Sequence, residues 1–168
     1  MRSTSTLRPT NPTKHRAITL AMIGFAAFTT LALAHEGATG VVKERMELMK
    51  RQQSDMKLIG DMAKGKTPFD AAKAALAASD VATTAKKIQD LFPQGSDGHP
   101  SDALPAIWTE WDRFTGNAKE LETSADALGA VLAQGANDGW KPAFQKLTDS
   151  CKACHENYRA KDNGHEHH

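Results

Sequence analysis

Between residues 107 and 132 the apolar side chains Ile107, Trp111, Phe114, Ala118, Leu121, Ala125, Leu128 and Leu132 recur at alternating steps of four and three. An α-helix returns residues at that spacing to one face, and the alternation keeps the stripe turned toward a neighbour lying almost parallel to it. Trp140, Phe144, Leu147, Cys151, Cys154 and Tyr158 obey the same rule, and Val42, Met49, Met56 and Ala63 follow one another at steps of seven, with Met46 just before Met49. No stretch sustains the alternation of β-branched and polar residues that marks a strand.

Pro and Gly punctuate the helix-forming sequence into four segments. The first runs from about Gly40 to Lys64 and stops at "KGKTP". The second opens with Pro68 and Asp70, carries Val81, Ile88, Leu91 and Phe92 on its inner side, and ends near Phe92 in "FPQGSDGHPSD". The third begins near Leu104, with Pro105 in its first turn, and reaches about Gln134; "GANDG" separates it from a fourth, from about Trp140 to Lys161. Short links make the outer pairs antiparallel hairpins, so the expected fold is an all-α, antiparallel up-and-down four-helix bundle, an architecture whose core often holds a cofactor.

The N-terminus stands apart from this pattern. Arg2, Arg8, Lys14 and Arg16 precede the uncharged run "AITLAMIGFAAFTTLAL", which closes on Ala32-Leu33-Ala34. A basic start, an apolar stretch and a small-x-small end are the parts of a Sec signal peptide, and the run is short for a membrane span of roughly 20 residues. Residues 1–34 are therefore expected to be a leader, 35–161 the four-helix domain and 162–168 a tail, placing the mature chain in the periplasm with no membrane attachment. The 21 Lys and Arg less those four leave 17 against 20 Asp and Glu. A mildly acidic chain without a basic patch has no electrostatic reason to bind nucleic acid.

Chemistry concentrates in "DSCKACHENYRAK", residues 149–161, which hold both cysteines of the chain. Residues three and four apart share a helix face, so Cys151, Cys154 and His155 project together. A disulfide between the two thiols inside a helix is strained and closes a tiny loop. A redox pair of the thioredoxin type needs its first thiol at a helix N-terminus, whereas these lie about three turns in. Zinc lacks a second ligand pair of suitable spacing. His35 at the mature N-terminus and His165, His167 and His168 in the tail likewise show no spacing of a formed metal site. The remaining reading is haem c: two thiols form thioethers with the vinyl groups, and the adjacent imidazole binds iron on the proximal side.

A leader, four helical segments and "CKACHENYR" near the C-terminus resemble the class II c-type cytochromes, the cytochrome c prime family, over essentially the whole mature chain. "GKTPFD", "LFPQGS" and "PAIWTEWDRF" add to the likeness by their order and spacing. The resemblance implies one haem c held through Cys151 and Cys154, with His155 as proximal ligand. It implies that the distal residue comes from the first helix, four positions after an arginine, which "ERMELM" matches with Arg45 and Met49. An apolar residue there leaves iron five-coordinate and open to gases; a methionine closes the sphere, as in the low-spin members. Positions 45 and 49 lie one turn apart on one face, so a guanidinium directed to a haem propionate and a thioether directed to iron are compatible. Met46 is the substitute for Met49, and a methionine stripe is also ordinary core filling. Glu44 stands where the family has an aromatic. Arg159, one turn beyond His155, matches an arginine that the family places near haem, Tyr158 is expected to pack on the ring, and the three tryptophans are expected in the core.

These readings lead to a periplasmic monohaem one-electron carrier with His/Met-ligated iron, meeting redox partner proteins transiently. The alternative is a five-coordinate protein that binds or buffers nitric oxide or carbon monoxide. Enzymatic turnover of the peroxidase kind is not expected, because the first helix offers no distal histidine. The resemblance also allows a homodimer through the first two helices.

Overall fold

The structure is a computed structural model in which residues 38–135 and 139–161 are described. The helices are α1 (Gly40–Ala63), α2 (Ala71–Ala85), α3 (Ala106–Thr109), α4 (Trp111–Ala133) and α5 (Trp140–Tyr158), with a 3-10 turn at Gln89–Leu91. Among the described residues there is no strand, only an isolated bridge between Ala103 and Arg159. The leader (1–34) and the histidine-bearing tail (162–168) lie outside the described residues.

Cross-helix contacts define the directions. Gln52 Nε2 donates to Thr84 Oγ1 (3.0 Å) while Arg45 Nε donates to the carbonyl of Leu91 (3.1 Å), so α2 descends as α1 rises. Lys86 pairs with Glu122 (3.8 Å) and the Phe92 and Phe114 rings meet edge to face at 4.8 Å, which makes α4 rise beside α2. Lys146 pairs with Glu120 (3.2 Å) and Tyr158 meets Phe114 at 5.5 Å, so α5 descends. The four long helices form the antiparallel up-and-down four-helix bundle expected from the apolar spacing.

The helix ends follow local chemistry. Asp70 caps α2, its carboxylate accepting from the Lys73 N–H at 3.0 Å, which satisfies a donor that the first turn leaves unpaired. Gly65, just past α1, takes φ 68°, a left-handed conformation that suits glycine. The core is continuous along the bundle and includes Ile59, Val81, Ile107, Phe114, Leu128, Trp140 and Leu147. Each large apolar side chain removed from water there contributes about 1.5–3 kcal/mol.

Three boundaries differ from the expected segments. The second helix stops at Ala85 instead of continuing to Phe92: Lys87 and Ile88 switch to bonds with Thr84 and Ala85, three residues back, and the tighter winding turns Ile88 and Phe92 inward. The third breaks at Glu110 (φ −118°, ψ 38°), leaving α3 as a single turn before α4. Two long-range bonds hold this break, Tyr158 Oη to Glu110 Oε2 at 3.1 Å and Trp108 Nε1 to the Phe92 carbonyl at 2.9 Å. Trp111, just after the break, is 37% exposed rather than in the core, whereas Trp140 is 2% exposed and Trp108 is half-buried. The fourth helix ends at Tyr158 instead of Lys161, because Arg159 turns extended (φ −114°, ψ 134°) to pair with Ala103.

Candidate functional site

Cys151 and Cys154 lie on the fourth turn of α5, half-buried and packed against the core, as unbridged thiols. Burial pushes the Cys151 thiol above its ordinary value, and burial with the neighbouring Cys151 pushes Cys154 up to about 11. Both are therefore protonated at neutral pH, unlike the activated thiolates of redox pairs. His155 follows on the same side, exposed at its surface; desolvation by surrounding protein and then the Arg159 charge hold its pKa below the usual histidine value. A neutral imidazole keeps the lone pair that a metal ligand needs.

Met49 is half-buried in α1 and packs against the core, as does Met56. Met46 is also half-buried but does not belong to the side chains packed on the core cluster. The level of Met49 relative to α5 follows from a point at which α1 and α5 meet. At Gly60 an added Cβ would lie 3.6 Å from Phe144 Cζ, and α1 meets α5 far less than it meets α2. Met49 precedes Gly60 by eleven positions and His155 follows Phe144 by eleven. In antiparallel helices rising about 1.5 Å per residue, both lie about 16 Å from that contact, at the same level of the bundle.

Arg45, one turn before Met49, is 5% exposed, and its guanidinium is engaged by the loop that follows α2. Nε donates to Leu91 O (3.1 Å), Nη1 to Ser101 Oγ (2.8 Å), and Nη2 to Ser96 O (3.1 Å) and Ser96 Oγ (2.7 Å). The guanidinium also stacks 4.0 Å over the Phe92 ring. Burial lowers its pKa, opposed by Asp97, yet an arginine remains charged. Phe92, beyond the end of α2, is thus an aromatic partner of Arg45. Arg159 is exposed, outside α5, and pairs with Asp102 at 3.5 Å. Tyr158 is buried against Phe114. Ser96, Ser101 and Phe92 went unnoticed as partners of Arg45, because nothing local in a Gly- and Ser-rich loop marks a contact so distant in sequence.

Two neutral thiols packed on the core, the adjacent imidazole at the surface of the same helix, and a core-packed thioether at their level on the facing helix make up a haem donor set. The fold and this donor set define a c-type cytochrome of the four-helix class. The description Cytochrome C' matches residues 40–159, and the chain belongs to that family. It is 38% identical over 150 residues to cytochrome c-556 of Agrobacterium fabrum, across 88% of this chain and 97% of that protein. The structure of cytochrome c prime from Shewanella frigidimarina superposes with a TM-score of 0.69 at 30% identity, over 72% of this chain and 94% of that one. The nitric oxide complex of a point mutant of cytochrome c prime from Alcaligenes xylosoxidans gives 0.66 at 29% identity, over 72% and 94%. Membership makes the cofactor one covalently attached haem c.

Proposed function

We propose that the protein is a periplasmic one-electron carrier, exported by cleavage after Ala34, in which Cys151 and Cys154 anchor haem c, His155 is the proximal ligand and Met49 the distal one. Bound haem supplies a one-electron couple between ferrous and ferric iron. Cys151 and Cys154 would hold the haem through thioether links to its vinyl groups, so the cofactor would not be lost on unfolding. His155 contributes a neutral nitrogen from the side of α5. Met49 contributes a neutral sulfur from α1, which excludes water and gases and favours electron transfer without ligand exchange. The observation that carries this reading is the matched level of Met49 and His155 about the Gly60–Phe144 contact.

Redox proteins are the partners this role requires, met through weak contacts, and the role is that of a carrier rather than a catalyst. Leu58 and Leu76, the latter 72% exposed, give α1 and α2 apolar surface suited to a homodimer. A gas-binding role is the second reading, favoured by the nitric oxide complex of a relative. The optical spectrum of the ferric holoprotein separates the two. A low-spin spectrum with a thioether charge-transfer band, lost in Met49→Ala, is the expected result; a high-spin wild type, unchanged by that substitution, overturns the carrier reading.

A further inference from the structure

At the level of Met49 and His155 the helices that carry them are joined through a third segment, residues 91–104. On one side that segment receives Arg45 of α1 at Leu91, Ser96 and Ser101. On the other it pairs with the chain that leaves α5: Leu104 N–H donates to Tyr158 O (3.0 Å) and Ala160 N–H to Asp102 O (2.8 Å). Ser101 Oγ is the joint, accepting from Arg45 Nη1 at 2.8 Å and from the Ala103 N–H at 3.1 Å. The path therefore runs from Arg45, four residues before Met49, through Ser101 and its neighbours to Tyr158, three residues after His155.

We infer that residues 91–104 form a strap that sets the separation of α1 and α5 at this level, and that Arg45 is the positioning residue that bolts it to α1. The inference rests on the reading of Met49 and His155 as the two axial ligands. Burying a guanidinium costs free energy unless its donors are matched, and here its N–H groups make four bonds to oxygen while the planar face rests on Phe92. Lysine has neither the fork nor the plane, so it cannot reproduce that set. A guanidinium so engaged acts on the thioether through the helix it anchors: with the bolt intact α1 is tied to the strap one turn from Met49, and without it the first turns of α1 are held by their packing on α2 alone.

The test uses the ferrous and ferric holoprotein with Ser96→Ala/Ser101→Ala, Arg45→Lys and, as a milder variant, Ser101→Ala. Two quantities are read: the carbon monoxide association rate, which requires Met49 to leave, and amide hydrogen exchange across residues 42–52. The serine double variant removes strap acceptors and no haem ligand, yet it is expected to speed both by about tenfold. Arg45→Lys should match it and Ser101→Ala should fall between, with covalent haem retained in all. Wild-type rates for both quantities in the serine variants overturn the strap and leave Arg45 acting elsewhere. A high-spin wild type overturns the Met49 assignment alone, because the exchange measurement still reports whether the strap restrains α1.

Discussion

The two ends of the bundle hold α1 and α5 together by opposite means. At one end Gly60 lies against Phe144, Phe144 meets Trp140 at 6.1 Å, and Phe69 stacks on Trp140 at 5.0 Å, so contact is direct and apolar. At the other, near Met49 and His155, the helices are connected by Arg45 and the strap through hydrogen bonds. Packing resists displacement in every direction and leaves no room for a planar ligand. Hydrogen bonds through a bridging segment are directional and link the two helices indirectly. Apolar packing at one end and bridged hydrogen bonds at the other thus hold the same two helices by separate means.

The largest effect that bears on this division is Trp140→Ala. Truncating a large buried aromatic costs about 3–5 kcal/mol, and thermal unfolding should shift accordingly while the ferric spectrum keeps its axial ligands. A spectrum that changed with Trp140 would show that the ends are coupled and remove the division between them.

A smaller effect lies between the ends, where α1 meets α2. Arg51 pairs with Asp80, and Asp55 beside them buries one carboxyl oxygen without a hydrogen-bond partner. Burial first, then Asp80, pushes the Asp55 carboxyl up to about 6, against the pull of Arg51. The folded chain thus keeps a proton that the unfolded chain releases near pH 4, and stability falls as pH rises from about 4 to about 6. Asp55→Asn removes that loss. It should raise the unfolding temperature at pH 7.5, by the equivalent of about 1 kcal/mol after solvent screening, and have much less effect at pH 4. Equal gains at both pH values would mean that the proton is not the cause.

The smallest effect is Gly60→Ala. A Cβ there meets Phe144 Cζ at 3.6 Å, an ordinary van der Waals distance, and alanine is the better helix former by about 1 kcal/mol. A rise in unfolding temperature of that order, measured calorimetrically, is expected; destabilisation would show that the packed end is tighter than its geometry indicates.

Much of the bundle was legible in residue spacing. The four-three steps of Phe114 to Leu132 lie on a core-facing helix, and those of Trp140 to Tyr158 bring Cys151 and Cys154 to the inner side of another. "KGKTP" and Asp70 marked an end and a start because capping is local. The break at Glu110 was not legible, since the groups that hold it, Tyr158 Oη and the Phe92 carbonyl, lie on other elements. Trp111 belonged to the apolar stripe by spacing, yet it follows that break and remains partly exposed.

Arg45 shows the same boundary at the site. Its place one turn before Met49 follows from helix geometry, and so does the grouping of Cys151, Cys154 and His155. Its partners, Leu91, Ser96 and Ser101, are 46 to 56 residues away, and loop composition does not encode which distant side chain will fill it. Sequence alone determined which residues share a helix face, because helical periodicity acts over a few neighbours. Tertiary structure decided where α1 and α5 touch, where the third helix breaks and what Arg45 holds, because those depend on contacts that exist only once the helices have docked.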